Sequence, residues 1–202
     1  MDQQFEQLAK QLIEAGRQLA AAGMVPATSG NFSTRLENGD LAITSSGVHK
    51  GKLVPANIMR TNADGESYDN RIPSAETLLH VQIYRQYPEV NAALHVHSLN
   101  ATVLSQLQKD SVILANYELL KAFPGITTHE SELVIPIFAN DQQMPRLASK
   151  VDQYIKAYGD IAAYLIAGHG FYAWGETVEQ ALNNVEALEF LFSCELLKRR
   201  IT

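Results

Sequence analysis

Two histidines one residue apart, His95 and His97, stand in the apolar run VNAALHVH at 90–97. On an extended strand, side chains at i and i+2 share a face, so both imidazoles can reach one ion. The neighbours Ala92, Ala93, Leu94 and Val96 predict a buried strand, and buried imidazoles need polar partners or a metal. A third histidine, His169, lies between Gly168 and Gly170 at the end of another apolar run. Flanking glycines let the chain turn sharply and bring that ring against a distant element. Three imidazoles with open positions form the layout of a catalytic rather than a structural zinc site. The plain alternatives are a coincidental HxH and a histidine decorating a turn. Zn²⁺ is the first expectation, and nitrogen ligands also suit Mn²⁺, Fe²⁺ or Co²⁺. His49, His80 and His129 lack such context; His80 reads as a partly buried structural residue on a helix.

Three short segments are rich in hydroxyls and glycine: Thr28-Ser29-Gly30-Asn31, Thr44-Ser45-Ser46-Gly47 and Pro73-Ser74-Ala75. Glycine permits close backbone approach, and Ser, Thr and Asn donate hydrogen bonds to phosphoryl oxygens. The third segment is expected to open a helix, whose free N–H groups favour an anion. Each alone is an ordinary turn; together with the histidines they suggest a phosphate cradle. Lys50 and Lys52 stand nearby, with solvated surface lysine as their default reading. Two acids complete the set. Glu76 follows the helix start, where capping alone would explain it. Glu118 lies among apolar and aromatic residues in NYELLKAF, either as a general acid or base or as a solvated partner of Lys121.

Regular elements must hold these groups. Phe5, Leu8, Leu12, Gly16 and Leu19 recur at helical spacing, and Gly23 is placed to end that helix. A hairpin is predicted across NFSTRL and LAITSSG, turning at Asn38-Gly39-Asp40. A helix is predicted from Pro73-Ser74 to about Arg85, and Ser98 reads as the N-cap of another. A strand at 133–138 contains a proline, which predicts an edge or a bulge. Helices follow over 144–158 and from the capping pattern Thr177-x-x-Gln180. Strands alternating with helices, hairpins mixed in, predict one α/β domain over 1–202 with helices on both faces of a mixed or mostly antiparallel sheet.

The chain has 202 residues, 46% apolar, with a net charge of −6. An acidic whole argues against nucleic-acid or anionic-membrane partners, yet a small phosphate needs only a local cradle. The one cysteine, Cys194, sits in an apolar helical run and reads as a core residue, so a reducing, cytoplasmic setting is expected. The N-terminal stretch lacks the basic start and apolar core of a secretory signal.

In order, SGN at 29–31, TSSG at 44–47, PSAE at 73–76, HVH at 95–97 and AGHG at 167–170 resemble the class II aldolase/adducin family over nearly the whole chain. SSGVHKG, PSAETLLH, HVHSLNATVLS and YELLKAF resemble its dehydratase branch. The resemblance implies a three-layer αβα sandwich around a central, largely antiparallel mixed sheet. It implies zinc on His95, His97 and His169, and a homotetramer with active sites at subunit interfaces. The family's phosphate loops fall on Ser29, Gly30, Asn31, Thr44, Ser45, Ser46, Gly47 and Ser74. The aldolase base falls on Glu76 and the dehydratase acid/base on Glu118. Some dehydratases lack the aldolase glutamate; this chain retains it, so the resemblance leaves the division of roles between the two acids open. The implied activity is dehydration of 5-methylthioribulose 1-phosphate, a phosphorylated ketose of methionine salvage. The alternatives are a sugar-phosphate aldolase or pentulose-phosphate epimerase using Glu76, and a non-catalytic adducin-like interaction module.

Overall fold

The computed structural model describes residues 2–201. Helix α1 (Gln3–Ala21) opens on Asp2, whose carboxylate accepts from the N–H groups of Gln4 and Phe5. Its apolar stripe buries Leu12, Ile13 and Leu19. The strands are β1 (Asn31–Arg35), β2 (Leu41–Thr44), β3 (Ile58–Thr61), β4 (Ala92–Val96), β5 (Ser111–Ala115), β6 (Glu132–Phe138), β7 (Ala163–Ile166) and β8 (Gly170–Gly175). Four more helices are α2 (Thr77–Gln86), α3 (Leu99–Leu107), α4 (Met144–Tyr158) and α5 (Val178–Ile201).

All eight strands join one sheet in the order β3-β2-β1-β4-β8-β7-β6-β5. Among the described residues, only β6 and β7 pair in parallel, so the sheet is mixed and largely antiparallel, as expected. Side chains alternate between its faces. Phe32, Leu94, Leu165 and Phe171 pack with α1, α3 and α5. Ala93, Tyr164, Tyr172 and Trp174 pack with α2 and α4 on the other side. The result is the three-layer sandwich.

Three local expectations shift. Helix α2 begins at Thr77 rather than at Ser74, because Pro73 is bridged to Ser45 at the exit of β2. Residues 73–76 form a turn closed by Thr77, whose N–H and hydroxyl both reach the Ser74 carbonyl. Pro136 marks neither the outer edge of the sheet nor a bulge. Strand β6 pairs with β5 through Pro136 and with β7 only at Ile137 and Phe138, so the missing N–H sits where the strand changes partners. Cys194 is only partly buried, not in the core, and no helix among the described residues is long and apolar enough to cross a membrane.

Candidate metal centre and adjoining pocket

Strand β4 lies between β1 and β8, with His95 opposite Asn31 on one side and Tyr172 on the other. The His95 ring is fully buried and stacks on Tyr172. Its Nδ1–H donates to the Phe171 carbonyl at 3.0 Å, which leaves Nε2 as a bare lone pair. That atom lies 2.9 Å from Nε2 of His97 and 3.4 Å from Nε2 of His169, and the latter two are 3.0 Å apart. His169 reaches this point from the β7–β8 turn, where Gly168 has φ +66°. Glu76, at the mouth of α2, closes the fourth side: its two oxygens are 3.3 Å from His95 Nε2 and 3.4 Å from His169 Nε2. One ligand atom from each of the four residues lies within 4.8 Å of every other.

Burial, and then the neighbouring imidazoles, hold His95 well below its ordinary pKa and bring His97 down to about 3. Both rings are therefore neutral at physiological pH, the state in which an imidazole can bind a metal. Three converging imidazole nitrogens, one certainly without a proton, cannot all satisfy one another by hydrogen bonding, and a divalent cation between them resolves the mismatch. The donor set of three nitrogens and a carboxylate thus fits such an ion. Nδ1 of His169 is buried and has no hydrogen-bond partner among the described residues.

A buried chain of hydrogen bonds holds Glu76. Asn31 Nδ2 donates to Glu76 Oε2 at 2.7 Å. The amide oxygen must then accept from His80 Nε2, so that ring is protonated on Nε2 and bare on Nδ1. Nδ1 accepts from the Ser33 hydroxyl at 2.7 Å, and Ser33 accepts from the Tyr84 hydroxyl at 2.7 Å. His80 is thus completely buried rather than partly so. Burial, opposed by the Glu76 carboxylate, lowers its pKa to about 4 and keeps it neutral. No sequence signal marked this role, because His80 has no second histidine at ligand spacing.

Glu76, His97 and His169 of this cluster line a pocket of about 410 Å³, within the range of small-ligand sites. Its walls bring together Ser29, Gly30, Asn31, Ser45, Ser46, Gly47 and Ser74 with Glu76, His97 and His169. Thr44 is the exception among the eight cradle residues. It is buried in β2, and its hydroxyl accepts the Phe32 N–H at 3.2 Å, so strand alternation turns it into the sheet. Lys50, read as a surface lysine, is instead 2% exposed and lines the pocket. Asn140 and Gln142, from the connection between β6 and α4, and Met144, the first residue of α4, also line it. Their only sequence signal is the polar run NDQQ.

Glu118 lies elsewhere in the chain. It starts a 3-10 helix (Glu118–Ala122), its side chain is 73% exposed, and it pairs with Lys121. The Lys121 hydrogen bond lowers its pKa. It does not line the pocket of its own chain, so the expected carboxylate among apolar residues is a solvent-facing ion pair.

The profile of the family described as Class II Aldolase and Adducin N-terminal domain matches residues 10–196. The chain belongs to that family. Among curated class II aldolase relatives, the chain is 57% identical over 194 residues to the methylthioribulose-1-phosphate dehydratase of Methylococcus capsulatus (strain ATCC 33009 / NCIMB 11132 / Bath), covering 96% of this chain and 95% of that one. The enzyme of the same name from Pseudomonas savastanoi pv. phaseolicola is 50% identical over 198 residues, 97% of each chain. Among solved structures, YgbL from Escherichia coli superposes with a TM-score of 0.82 at 27% identity over 96% of this chain and 90% of that one. L-fuculose-1-phosphate aldolase from Thermus thermophilus gives 0.78 at 25% identity over 96% of each.

Proposed function

We propose that the protein is a metal-dependent hydro-lyase that dehydrates 5-methylthioribulose 1-phosphate to 2,3-diketo-5-methylthiopentyl 1-phosphate, a step of methionine salvage. The observation that carries this is one pocket that brings a three-histidine cluster together with hydroxyl- and glycine-rich loops. The name shared by relatives at 50–57% identity supplies the reaction.

His95, His97 and His169 hold the ion, taken here as Zn²⁺, with Glu76 either a fourth ligand or a second acid/base. Such an ion would polarise the C2 carbonyl and stabilise the negative charge that develops when the C3 proton leaves. Ser29, Gly30, Asn31, Ser45, Ser46, Gly47 and Ser74 bind and orient the phosphorylated end, and Asn31 also steadies Glu76. Glu118 is the acid/base: a base takes the C3 proton, the C4 hydroxyl is protonated and departs as water, and the enol becomes the diketone. Because Glu118 faces solvent in its own chain, we assign it to the pocket of a neighbouring subunit in a homotetramer. The whole chain, 1–202, acts as one domain in the cytoplasm.

A class II aldolase working through Glu76 is the second reading, favoured by one observation: Glu76, not Glu118, sits at the cluster. Incubation of the metal-loaded protein with the substrate, followed by product mass, separates the two. Loss of one water is expected; two smaller carbonyl fragments would establish the aldolase. Metal analysis should find about one equivalent per chain in the wild type, as one closed ligand set predicts. His97→Ala should lose most of it while remaining folded, and full retention would remove His97 from the ligand set.

A further inference from the structure

Among the described residues, Lys50 is the only lysine or arginine lining the pocket. Its ammonium donates to the carbonyl of Thr28 at 3.0 Å and to that of Val48 at 2.7 Å. Those carbonyls belong to the two loops that carry Ser29-Gly30-Asn31 and Ser45-Ser46-Gly47. An ammonium has three donors, so one remains for the pocket. The backbone beneath it is fixed, since a Cβ on Gly16 of α1 would overlap the Lys50 carbonyl oxygen. Lys52, two residues on, is exposed.

A buried ammonium is expensive unless a counter-charge accompanies it. Among the described residues, no carboxylate lies within ion-pair distance of Lys50. Two carbonyl oxygens supply partial negative charge but no anion. The charge is therefore left open toward the pocket that Lys50 lines.

We propose that Lys50 is the counter-charge for the phosphomonoester dianion of the ligand, gripping it between the two loops that it ties together. This rests on the reading of the pocket as the substrate's, and it adds a cation to a cradle otherwise made of neutral donors. Burial brings the ammonium down to about 8, so it still carries its charge at neutral pH. A lysine that only fastened loops would serve neutral and anionic ligands alike; one that binds the dianion discriminates between them.

The test uses full-length, metal-loaded protein with inorganic phosphate as probe, in calorimetry and as a competitor of turnover. Lys50→Met should weaken phosphate by about 10- to 100-fold, the worth of a charge-assisted hydrogen bond. KM for the phosphorylated ketose should rise in parallel, with kcat and metal content little changed. Affinity for the unphosphorylated ketose should stay near wild type. Equal losses for phosphate and the neutral sugar would overturn the proposal in favour of a loop fastener, as would unchanged phosphate affinity. If the variant does not fold, the wild-type Lys50 Nζ resonance, followed by nitrogen-15 NMR, must shift on phosphate addition; an unmoved signal overturns the assignment. Phosphate binding does not depend on which reaction the pocket performs, so a wrong product and a wrong role for Lys50 give different results.

Discussion

His80 reaches no ligand, yet its protonation state governs how Glu76 is held. Its neutral ring accepts from Ser33 and donates to Asn31, and a second proton would reverse one of those bonds. The folded-state pKa of about 4 lies below the ordinary 6.5, so between these values the unfolded chain binds more protons. Stability from this group is complete above pH 6.5 and is lost as the pH falls toward 4, by up to roughly 3 kcal/mol. Metal-free His80→Gln should therefore lose less stability than the wild type between pH 7 and 4.5 in thermal melts. Parallel losses would show that His80 does not titrate as a buried neutral ring. At this scale, what was legible in the sequence was residue type at a diagnostic spacing: HVH, a glycine-flanked histidine and hydroxyl-glycine clusters. What was not legible was burial. Lys50 and His80 look like surface and partly buried residues until α1 and the sheet cover them, and Thr44 needed the phase of β2 to be assigned inward.

The three histidines converge because β4 and β8 approach closely at one end, and Gly170 permits it. A Cβ at Gly170 would overlap the Val96 carbonyl oxygen and come within 3.1 Å of His97 Cα. On the other flank of β4, a Cβ at Gly30 would stand 2.7 Å from the His95 carbonyl oxygen, and Gly30 also has φ +75°. Gly170→Ala must push β8 away from the strand that carries His95 and His97. We expect a stability loss of roughly 1–3 kcal/mol, typical of overpacking, and metal affinity reduced about 10- to 100-fold, as when ligand support is disturbed. Denaturant melts and metal titration check both; unchanged affinity would mean the cluster tolerates a shifted β8. Periodicity made α1, α4 and α5 legible because their buried stripes are regular. It misplaced the start of α2 and the meaning of Pro136 because each depends on a contact distant in sequence: the bridge from Ser45 to Pro73, and the handover from β5 to β7.

At the scale of the whole molecule, the proposed role of Glu118 depends on a second copy of the chain. Leu99, Val103 and Leu107 recur at helical spacing on α3 and are all exposed, Leu99 by 74%, and Phe190 and Leu197 are exposed on α5, which packs against α3. An apolar surface of this kind fits contact with another copy of the chain, and α3 begins two residues after His97. In the proposed homotetramer, such a contact would set a subunit boundary beside the histidine cluster, where a neighbour's solvent-facing Glu118 would enter. Glu118→Gln should keep its metal and lose about 10²–10⁴ in kcat, the usual worth of general acid–base catalysis; a drop below about tenfold would remove it from the mechanism. Mixing decides which chain it serves. His97→Ala and Glu118→Gln are each expected to be nearly inactive alone. If Glu118 serves its neighbour, co-expressing them in equal amounts creates sites with an intact cluster from one chain and an intact glutamate from the other. With random assembly such sites are about a quarter of the total, so about a quarter of wild-type activity should return. If Glu118 serves its own chain, no mixed oligomer contains a complete site, and activity stays at the level of the separate variants. Recovery therefore requires both an oligomer and a glutamate that crosses between subunits, because neither feature alone can produce it.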